Sequence, residues 1–350
     1  MNPLRILILS DGRAGHFNLS EGIAAAIGRL GPTTITRLDV RRGRWPGPAL
    51  AALTAAKLPA AAMLRCVYGL EPADLPACDV IVSAGAETLA ANVWLARSQR
   101  ALNLFYGSLR YFQPEDFSLV LTSYARNAGR PRHLLALKPS AMDPAGFPPR
   151  LIAARPTRLG LLIGGDAGTF TYQDSDWNEL LALLPRAHAA LGITWRVSNS
   201  RRTPHAIGDR LRAMANAPTS GIEQFVDVRE QGAATLRDIL TVVDAVACTE
   251  DSSSMISECI WARLPVVGVS PAHFHHTPDE SDYRRWLASN GWSASLPIRA
   301  LTPEILQDTL RQLTPLSDNP LATLAARLEE AIPGLRERRL SPSTKPPARP

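Results

Sequence analysis

Four short stretches hold the residue types that could do chemistry. Ser10-Asp11-Gly12-Arg13-Ala14-Gly15-His16 places an acid, an imidazole and two glycines together. An imidazole titrates near neutral pH, so His16 could take a proton from an attacking hydroxyl, with Asp11 the other candidate base. Equally, His16 could do no more than cap or orient the loop. Thr249-Glu250-Asp251-Ser252-Ser253-Ser254 is a polar corner between two apolar runs, and Glu258 shares a helical face with Ser254. A helix opening on serines presents free N–H groups and the positive end of its dipole, which suits a phosphate. Glu258 has Met255, Ile256, Cys259 and Ile260 for neighbours. A carboxylate in apolar company needs donors, and the hydroxyls of a ribose would supply them; exposure or an ion pair with Arg263 are the alternatives.

The other two stretches are Gly164-Gly165-Asp166-Ala167-Gly168-Thr169 and Ser200-Arg201-Arg202-Thr203-Pro204. Glycines let backbone N–H groups approach an anion, and adjacent guanidinium groups suit a diphosphate. The glycine stretch matches neither G-x-G-x-x-G nor a P-loop and is equally readable as a tight turn; the arginines are equally readable as a solvated loop. His273, His275 and His276 fit no zinc spacing and read as a solvated loop, so no metal site is expected. No G-x-S-x-G surrounds the serines, which leaves them without a nucleophile's setting.

These stretches fall where strands end. Residues 4–10, 33–40, 78–83, 101–105, 117–121 and 133–137 read as strands, with helices over 18–30 and 87–97. Residues 139–157 hold five prolines and no periodicity, and the alternation then restarts with strands at 158–163, 193–197, 224–228, 242–248 and 265–269. Helices are expected over 176–191, 204–216, 252–261, 282–289, 303–313 and 320–331. Alternating strands and helices imply parallel sheets covered on both faces, and ligands in such sheets lie beyond the carboxyl ends of the strands. The expected division is a first domain over 1–145, a linker over 146–157, a second domain with closing helices over 158–335 and a disordered basic tail over 336–350. Two such domains facing each other would make a cleft for a small molecule.

Composition narrows the partners. The chain has 350 residues, 45% apolar, with a formal charge of +6, which suits an anionic ligand; no Lys/Arg run with interleaved aromatics marks a nucleic-acid binder. Cys66, Cys78, Cys248 and Cys259 form no C-x-x-C pair and read as free thiols. The opening apolar run is short for a signal peptide, so a cytoplasmic protein is expected. Residues 49–70 are apolar but carry Lys57, Pro59 and Arg65, which argues against a spanning helix. They read as an Ala-rich helix or broken helix pair packed on the sheet, or, with Arg41, Arg42, Arg44 and Trp45 before them, as a peripheral membrane contact over residues 41–70, on the inner face.

In their order, Ser10 to Asn18, Gly164-Gly165, Ser200 to Pro204 and Thr249 to Glu258 resemble the mitochondrial fission ELM1 family, whose bacterial members are taken as glycosyltransferases. The resemblance spans residues 4–315 and implies a GT-B fold: two Rossmann-like doubly wound α/β domains facing a central cleft, with C-terminal helices crossing back onto the first. It implies a nucleoside-diphosphate sugar donor bound by the second domain, an acceptor on the first, and no cofactor or bound metal, and the basic, apolar 41–70 segment points to a glycan or lipid-linked acceptor. Glu258 then holds the ribose. Gly12, Arg13, Gly15, Gly164, Gly165, Arg201, Arg202, Asp251, Ser252, Ser253 and Ser254 face the nucleotide or diphosphate, and His16 or Asp11 is the base. Phe17-Asn18-Leu19 stands where the family tends to have Glu-Asn-Gln, and Ser123-Tyr124-Ala125-Arg126 where it has a His-Asp pair. The expected activity is therefore sugar transfer to an envelope or lipid-linked glycan. A catalytically silent binding or recruitment protein and a sugar-nucleotide epimerase are the alternatives.

Overall fold

The computed structural model describes residues 3–147, 156–230, 232 and 235–340. Most of the expected linker (148–155) and residues 341–350 lie outside them. The chain divides into two units, residues 1–141 with 320–350, and residues 142–319.

In the first unit the chain runs β1 (Leu4–Ser10), α1 (Ala14–Arg29), β2 (Thr33–Asp39), α2 (Gly47–Ala55), α3 (Ala60–Met63), β3 (Val80–Ala84), α4 (Leu89–Gln99), β4 (Leu102–Tyr106), β5 (Leu119–Thr122) and β6 (His133–Leu135). The strands form one parallel sheet in the order β2-β1-β3-β4-β5-β6. β1 is apolar from Ile6 to Leu9 because it is buried on both faces, with Arg5 near its start and Ser10 at its end. β2 is the edge, and its Thr-Thr-Ile-Thr-Arg sequence is largely exposed. Residues 49–70 form a broken helix, α2 and α3 followed by a π turn over Leu64–Tyr68. Leu50, Ala51, Leu64 and Val67 join the core with Trp94 of α4.

The second unit runs β7 (Arg158–Leu162), β8 (Phe170–Thr171), α5 (Asp174–Leu191), β9 (Thr194–Ser198), α6 (His205–Ala215), β10 (Ile222–Val226), α7 (Leu236–Val242), β11 (Ala245–Thr249), α8 (Ser253–Trp261), β12 (Val266–Ser270), β13 (His273–Phe274), α9 (Pro278–Ser289), β14 (Ser293–Pro297) and α10 (Pro303–Gln312). Its main sheet is parallel, ordered β10-β9-β7-β11-β12-β14. β14 is not apparent in the sequence: Ser-Ala-Ser-Leu-Pro is a partly buried edge with no apolar run. The short pair β8 and β13 is antiparallel, with Phe170 stacked on Phe274 at 5.3 Å. The last helices, α11 (Pro320–Ala331) and α12 (Pro333–Leu340), belong to the first unit, where α11 packs on α1. The sequence-based boundaries kept residues up to 335 with the second domain and began a tail at 336, whereas α11 packs on α1 and the helices group with the first unit, as the resemblance implied. Buried Leu328, Ile332 and Leu335 give these helices an apolar face to cover.

Both sheets are fastened at the amino end of their first strand. The Arg5 N–H and guanidinium donate to the Asp79 carboxylate at 2.8–3.0 Å, just before β3. The Arg158 N–H (3.0 Å) and guanidinium (2.8 Å) do the same to Asp244, just before β11. Each carboxylate thus ties β1 to β3 or β7 to β11, the pairs across which strand order reverses.

Two glycines in α1 should respond oppositely to alanine. A Cβ at Gly22 would stand 2.4 Å from the Ser140 nitrogen and 2.6 Å from the Pro139 carbonyl carbon, whereas at Gly28 its nearest neighbour is the Thr33 hydroxyl at 3.4 Å. In urea melts Gly22→Ala should cost about 2–3 kcal/mol, since backbone must move, and Gly28→Ala should gain up to about 1 kcal/mol from helix propensity. Equal effects would contradict this packing of α1.

Candidate functional site

The strand orders reverse beside β1 in one unit and beside β7 in the other, and at such a switch point the loops part and leave room beyond the carboxyl ends. Both switch points are occupied by residues read from the sequence as chemical.

Beyond β1, the Ser10 hydroxyl accepts from the Gly12 N–H and Asp11 Oδ1 from the Arg13 N–H, each at 3.1 Å, which turns the chain into α1. Asp11 Oδ2 lies 2.7 Å from His16 Nδ1. The carboxylate is 2% exposed and the imidazole 31%, so a buried acid orients a half-buried ring and leaves Nε2 for another partner. Gly85, after β3, makes this possible. Its φ is +92°, and a Cβ there would stand 2.3 Å from His16 Nδ1 and 2.8 Å from Asp11 Oδ2. No side chain caps α1, whose first turn holds exposed Gly15 beside exposed Arg13. The helix start is therefore open to an anion.

Beyond β7 and β11, the expected glycine loop is filled from within. The Gly164 N–H donates to Thr249 Oγ1 (2.7 Å) and the Gly165 N–H to Asp251 Oδ2 (3.2 Å). The Asp251 side chain is fully buried and also accepts from Tyr172 Oη (3.0 Å) and the Arg202 guanidinium (2.5 Å). Gly164 and Gly165 are needed for this approach. A Cβ at 164 would stand 2.0 Å from Asp251 Oδ2, and one at 165 would stand 2.2 Å from the Arg202 carbonyl. The N–H groups read as a diphosphate cradle thus hold Asp251, which in turn fixes Arg202 by one nitrogen. Arg201 is exposed and has no ion pair among the described residues.

Ser252 caps α8, its hydroxyl accepting from the Met255 N–H at 3.4 Å and lying 3.4 Å from Ser254 Oγ. Ser253 opens the helix, and its carbonyl accepts from Ser257. Glu258 is half-buried and has no hydrogen-bond or ion-pair partner among the described residues, Arg263 included. Burial alone pushes its carboxyl up to about 7.

Beside this corner lies a group that the sequence does not suggest. Buried Glu250 receives the Ser295 hydroxyl on one oxygen and lies 3.3 Å from His276 Nε2 on the other, while its carbonyl accepts from Arg284 (3.0 Å). Burial opposes ionisation, but nearby His276, the Arg284 charge and the Ser295 hydroxyl outweigh it and hold Glu250 below the usual carboxylate range, although Oε2 itself has no hydrogen-bond partner among the described residues. His276 is thus packed against Phe170 and Phe274, not solvated as its loop suggested. The carboxylate it pairs with explains the difference. Thr169 donates to the His275 carbonyl, which binds the same loop to the glycine stretch. Glu250, Ser270, Phe274, His276, Arg284 and Ser295 line an open cavity of about 520 Å³, and Arg284 Nε has no hydrogen-bond partner among the described residues. The signal available in the sequence was position alone: Glu250 follows β11, Ser270 ends β12, and Ser295 lies in β14. Among the described residues no group of three His, Cys, Asp or Glu side chains is placed to hold a metal, and no helix is long and apolar enough to cross a membrane.

Two Rossmann-like units with the last helices returned to the first are the GT-B architecture. A Listeria monocytogenes protein assigned as a UDP-N-acetylglucosamine 2-epimerase is similar over 97% of this chain and 98% of its own, at TM-score 0.54 and 11% identity. The UDP-GlcNAc 2-epimerase of Methanocaldococcus jannaschii matches 95% of this chain and 100% of its own at 0.50 and 10%. The glycotransferase of kitacinnamycin covers 95% and 96% at 0.49 and 13%. Identities this low speak for fold alone. No curated protein matches the chain. The profile of the mitochondrial fission ELM1 family matches residues 14–328, and the chain belongs to that family.

Glu258 gives a signed pH dependence. Its folded value of about 7 lies above the ordinary 4.5, so its share of stability is full below about 4.5 and is lost as pH rises through about 7. In urea melts, Glu258→Gln should gain on the wild type by up to about 3 kcal/mol between about pH 5 and about pH 8. A difference independent of pH would mean that the carboxyl is solvated.

Proposed function

We propose that the protein is a glycosyltransferase that moves a sugar from a nucleoside-diphosphate sugar to an envelope or lipid-linked glycan. The observation that carries this reading is Glu258: a half-buried, unpartnered carboxyl one turn into a serine-capped helix at a switch point. A ribose diol offers it two hydroxyl donors, and their hydrogen bonds favour the ionised form that burial disfavours. The diphosphate goes to Arg201, to the Arg202 nitrogens not engaged by Asp251, and to the α8 start, with Gly164, Gly165 and Asp251 as supports. The neighbouring cavity of about 520 Å³ has room for the donor's base or sugar.

The first unit supplies the base. Asp11 holds His16 through Nδ1, so Nε2 accepts the proton of an acceptor hydroxyl. As that oxygen bonds to the sugar, the bond from sugar to diphosphate breaks and its electron pair stays on the diphosphate. The uncapped α1 start with Gly12, Arg13 and Gly15 adds positive potential for an anionic group. The protein acts in the cytoplasm, at the inner face of the membrane, where residues 41–70 make a peripheral contact.

A second reading is a binding or recruitment protein without turnover. Phe17 lies under the Arg37 guanidinium at 4.4 Å, and the Ser123 hydroxyl is spent on Tyr106 (2.9 Å) and the Ala136 carbonyl (2.8 Å), so neither departure from the family pattern offers a free polar group. An epimerase would use the same donor contacts and differ in product.

Calorimetric titration with UDP, GDP, CMP and ADP should find one nucleotide that binds, weakened roughly 10- to 100-fold by Glu258→Ala. His16→Ala should leave that affinity unchanged and lower turnover by roughly 10²–10⁴. If none of the nucleotides binds, the transferase reading fails. Binding without turnover in wild type selects the second reading, and an isomerised sugar nucleotide selects the epimerase.

A further inference from the structure

Between Asp39 and Glu71 the chain has five basic residues and no acidic one. Two of the five are neutralised locally, Arg42 by Glu87 at 2.8 Å and Arg65 by Glu71 at 2.5 Å. Arg44 and Lys57 have no ion pair among the described residues, and Arg41 lies near an Asp39 already held by Arg37. The segment therefore carries an uncompensated positive charge at the carboxyl edge of the first sheet.

The helix within it has an uncovered face. α2 buries Leu50, Ala51 and Thr54, while Pro48, Ala52, Ala55 and Ala56, at helical spacing, are exposed. A helix face turned to solvent ordinarily carries charged or polar residues, and this one carries none. Trp45 and Leu58 stand exposed just outside its two ends, at 41% and 37%. Tyr111, 61% exposed, lies from the loop after β4 against Gly47, within 4 Å of where a Cβ would be. Arg44 flanks the start of α2 and Lys57 follows its end. No acid occupies its first turn, so the helix dipole adds to the positive charge there.

We infer that this face is a docking surface for a bilayer containing anionic phospholipid. Aromatic rings beside arginine and lysine fit the depth of lipid headgroups, and a shallow Ala/Pro face fits the boundary of the acyl chains. A second copy of the chain is the less fitting occupant, because symmetric pairing would bring two uncompensated positive segments together. The inference gives a lipid chemistry and a set of residues to the peripheral contact suggested above, but it stands on charge and exposure, not on nucleotide binding.

Co-sedimentation of the full chain with vesicles of phosphatidylcholine, with and without phosphatidylglycerol, tests it. Wild type should pellet with the anionic vesicles only, and high salt should release it. Each base near such a surface contributes about fivefold to partitioning, so R44E with K57E, which reverses two charges, should lower it by a hundredfold or more. Trp45→Ser should weaken it while leaving salt dependence intact. Circular dichroism and nucleotide titration on the same preparations show whether the variants are folded. Failure of wild type to pellet, or equal pelleting by the charge-reversed protein, overturns the inference. So does a dimer in sedimentation velocity that Ala52→Glu dissociates, since the face would then belong to a second copy. Vesicle binding without nucleotide binding would sink the transferase alone, and the reverse would sink the docking surface alone.

Discussion

The two candidate sites depend on how closely a carboxylate can approach backbone at the switch points. Asp11 is seated over Gly85 and Asp251 over Gly164, in each case at distances that a β-carbon would forbid. The same contact does opposite work in the two units. In the first, the carboxylate sits beneath an imidazole and leaves one ring edge exposed. In the second, it is surrounded by donors from three segments and locks the loops after β7, β9 and β11 into one arrangement. A buried carboxylate with several good donors is stable and costly to disturb, so it makes a rigid support.

Each switch point is clamped at both ends of its strand pair. At the amino ends the Arg5–Asp79 and Arg158–Asp244 forks are partly exposed, and the charge in each adds at most about 1 kcal/mol. Their larger effect is geometric, because the same carboxylates accept the backbone N–H of the first residue or so of the strand and so fix its register. At the carboxyl ends the contacts run from Asp11 and His16 to Gly85 and from Thr249 to Gly164. The two units share this plan without a visible sequence repeat. What recurs is chemistry at corresponding strand ends, which a search for repeated letters does not detect.

The fold and the first site were legible to different depths for a physical reason. Buried parallel strands advertise themselves as apolar runs, so nearly all of both sheets could be read; β14 could not, since its Ser-Ala-Ser-Leu-Pro has the composition of a loop. Asp11 and His16 were legible as neighbours at the first strand end because they lie five residues apart, but the sequence offered them as alternative bases, and only the structure joins them by a hydrogen bond. Asp251 meeting Gly165 and Arg202, and His276 meeting Glu250, are contacts between distant segments brought together by the sheet. The residue types and the strand ends were visible, but whether an N–H points at a ligand or at the chain's own aspartate is decided in three dimensions. The glycine loop shows the consequence: the same Gly-Gly serves a phosphate or an internal carboxylate equally well.

That internal use narrows what the second corner can bind. Asp251 is offset by Arg202, and Glu250 by His276 and Arg284. What the corner leaves without a hydrogen-bond or ion-pair partner among the described residues includes the Glu258 carboxyl and the Arg201 cation, and Glu250 Oε2 and Arg284 Nε are without a hydrogen bond beside them. A purely structural role gives no reason for a carboxyl held near neutrality by burial, because glutamine or an apolar residue would fill α8 at less cost. The residue is accounted for when something brings it donors. A polyhydroxyl group does so without adding charge beside the acid, and an anion attached to it would fall to the arginines. Under the proposed function, the Glu258 carboxyl and the Arg201 cation are met by a ligand with hydroxyls at one end and negative charge at the other, as a nucleoside diphosphate has.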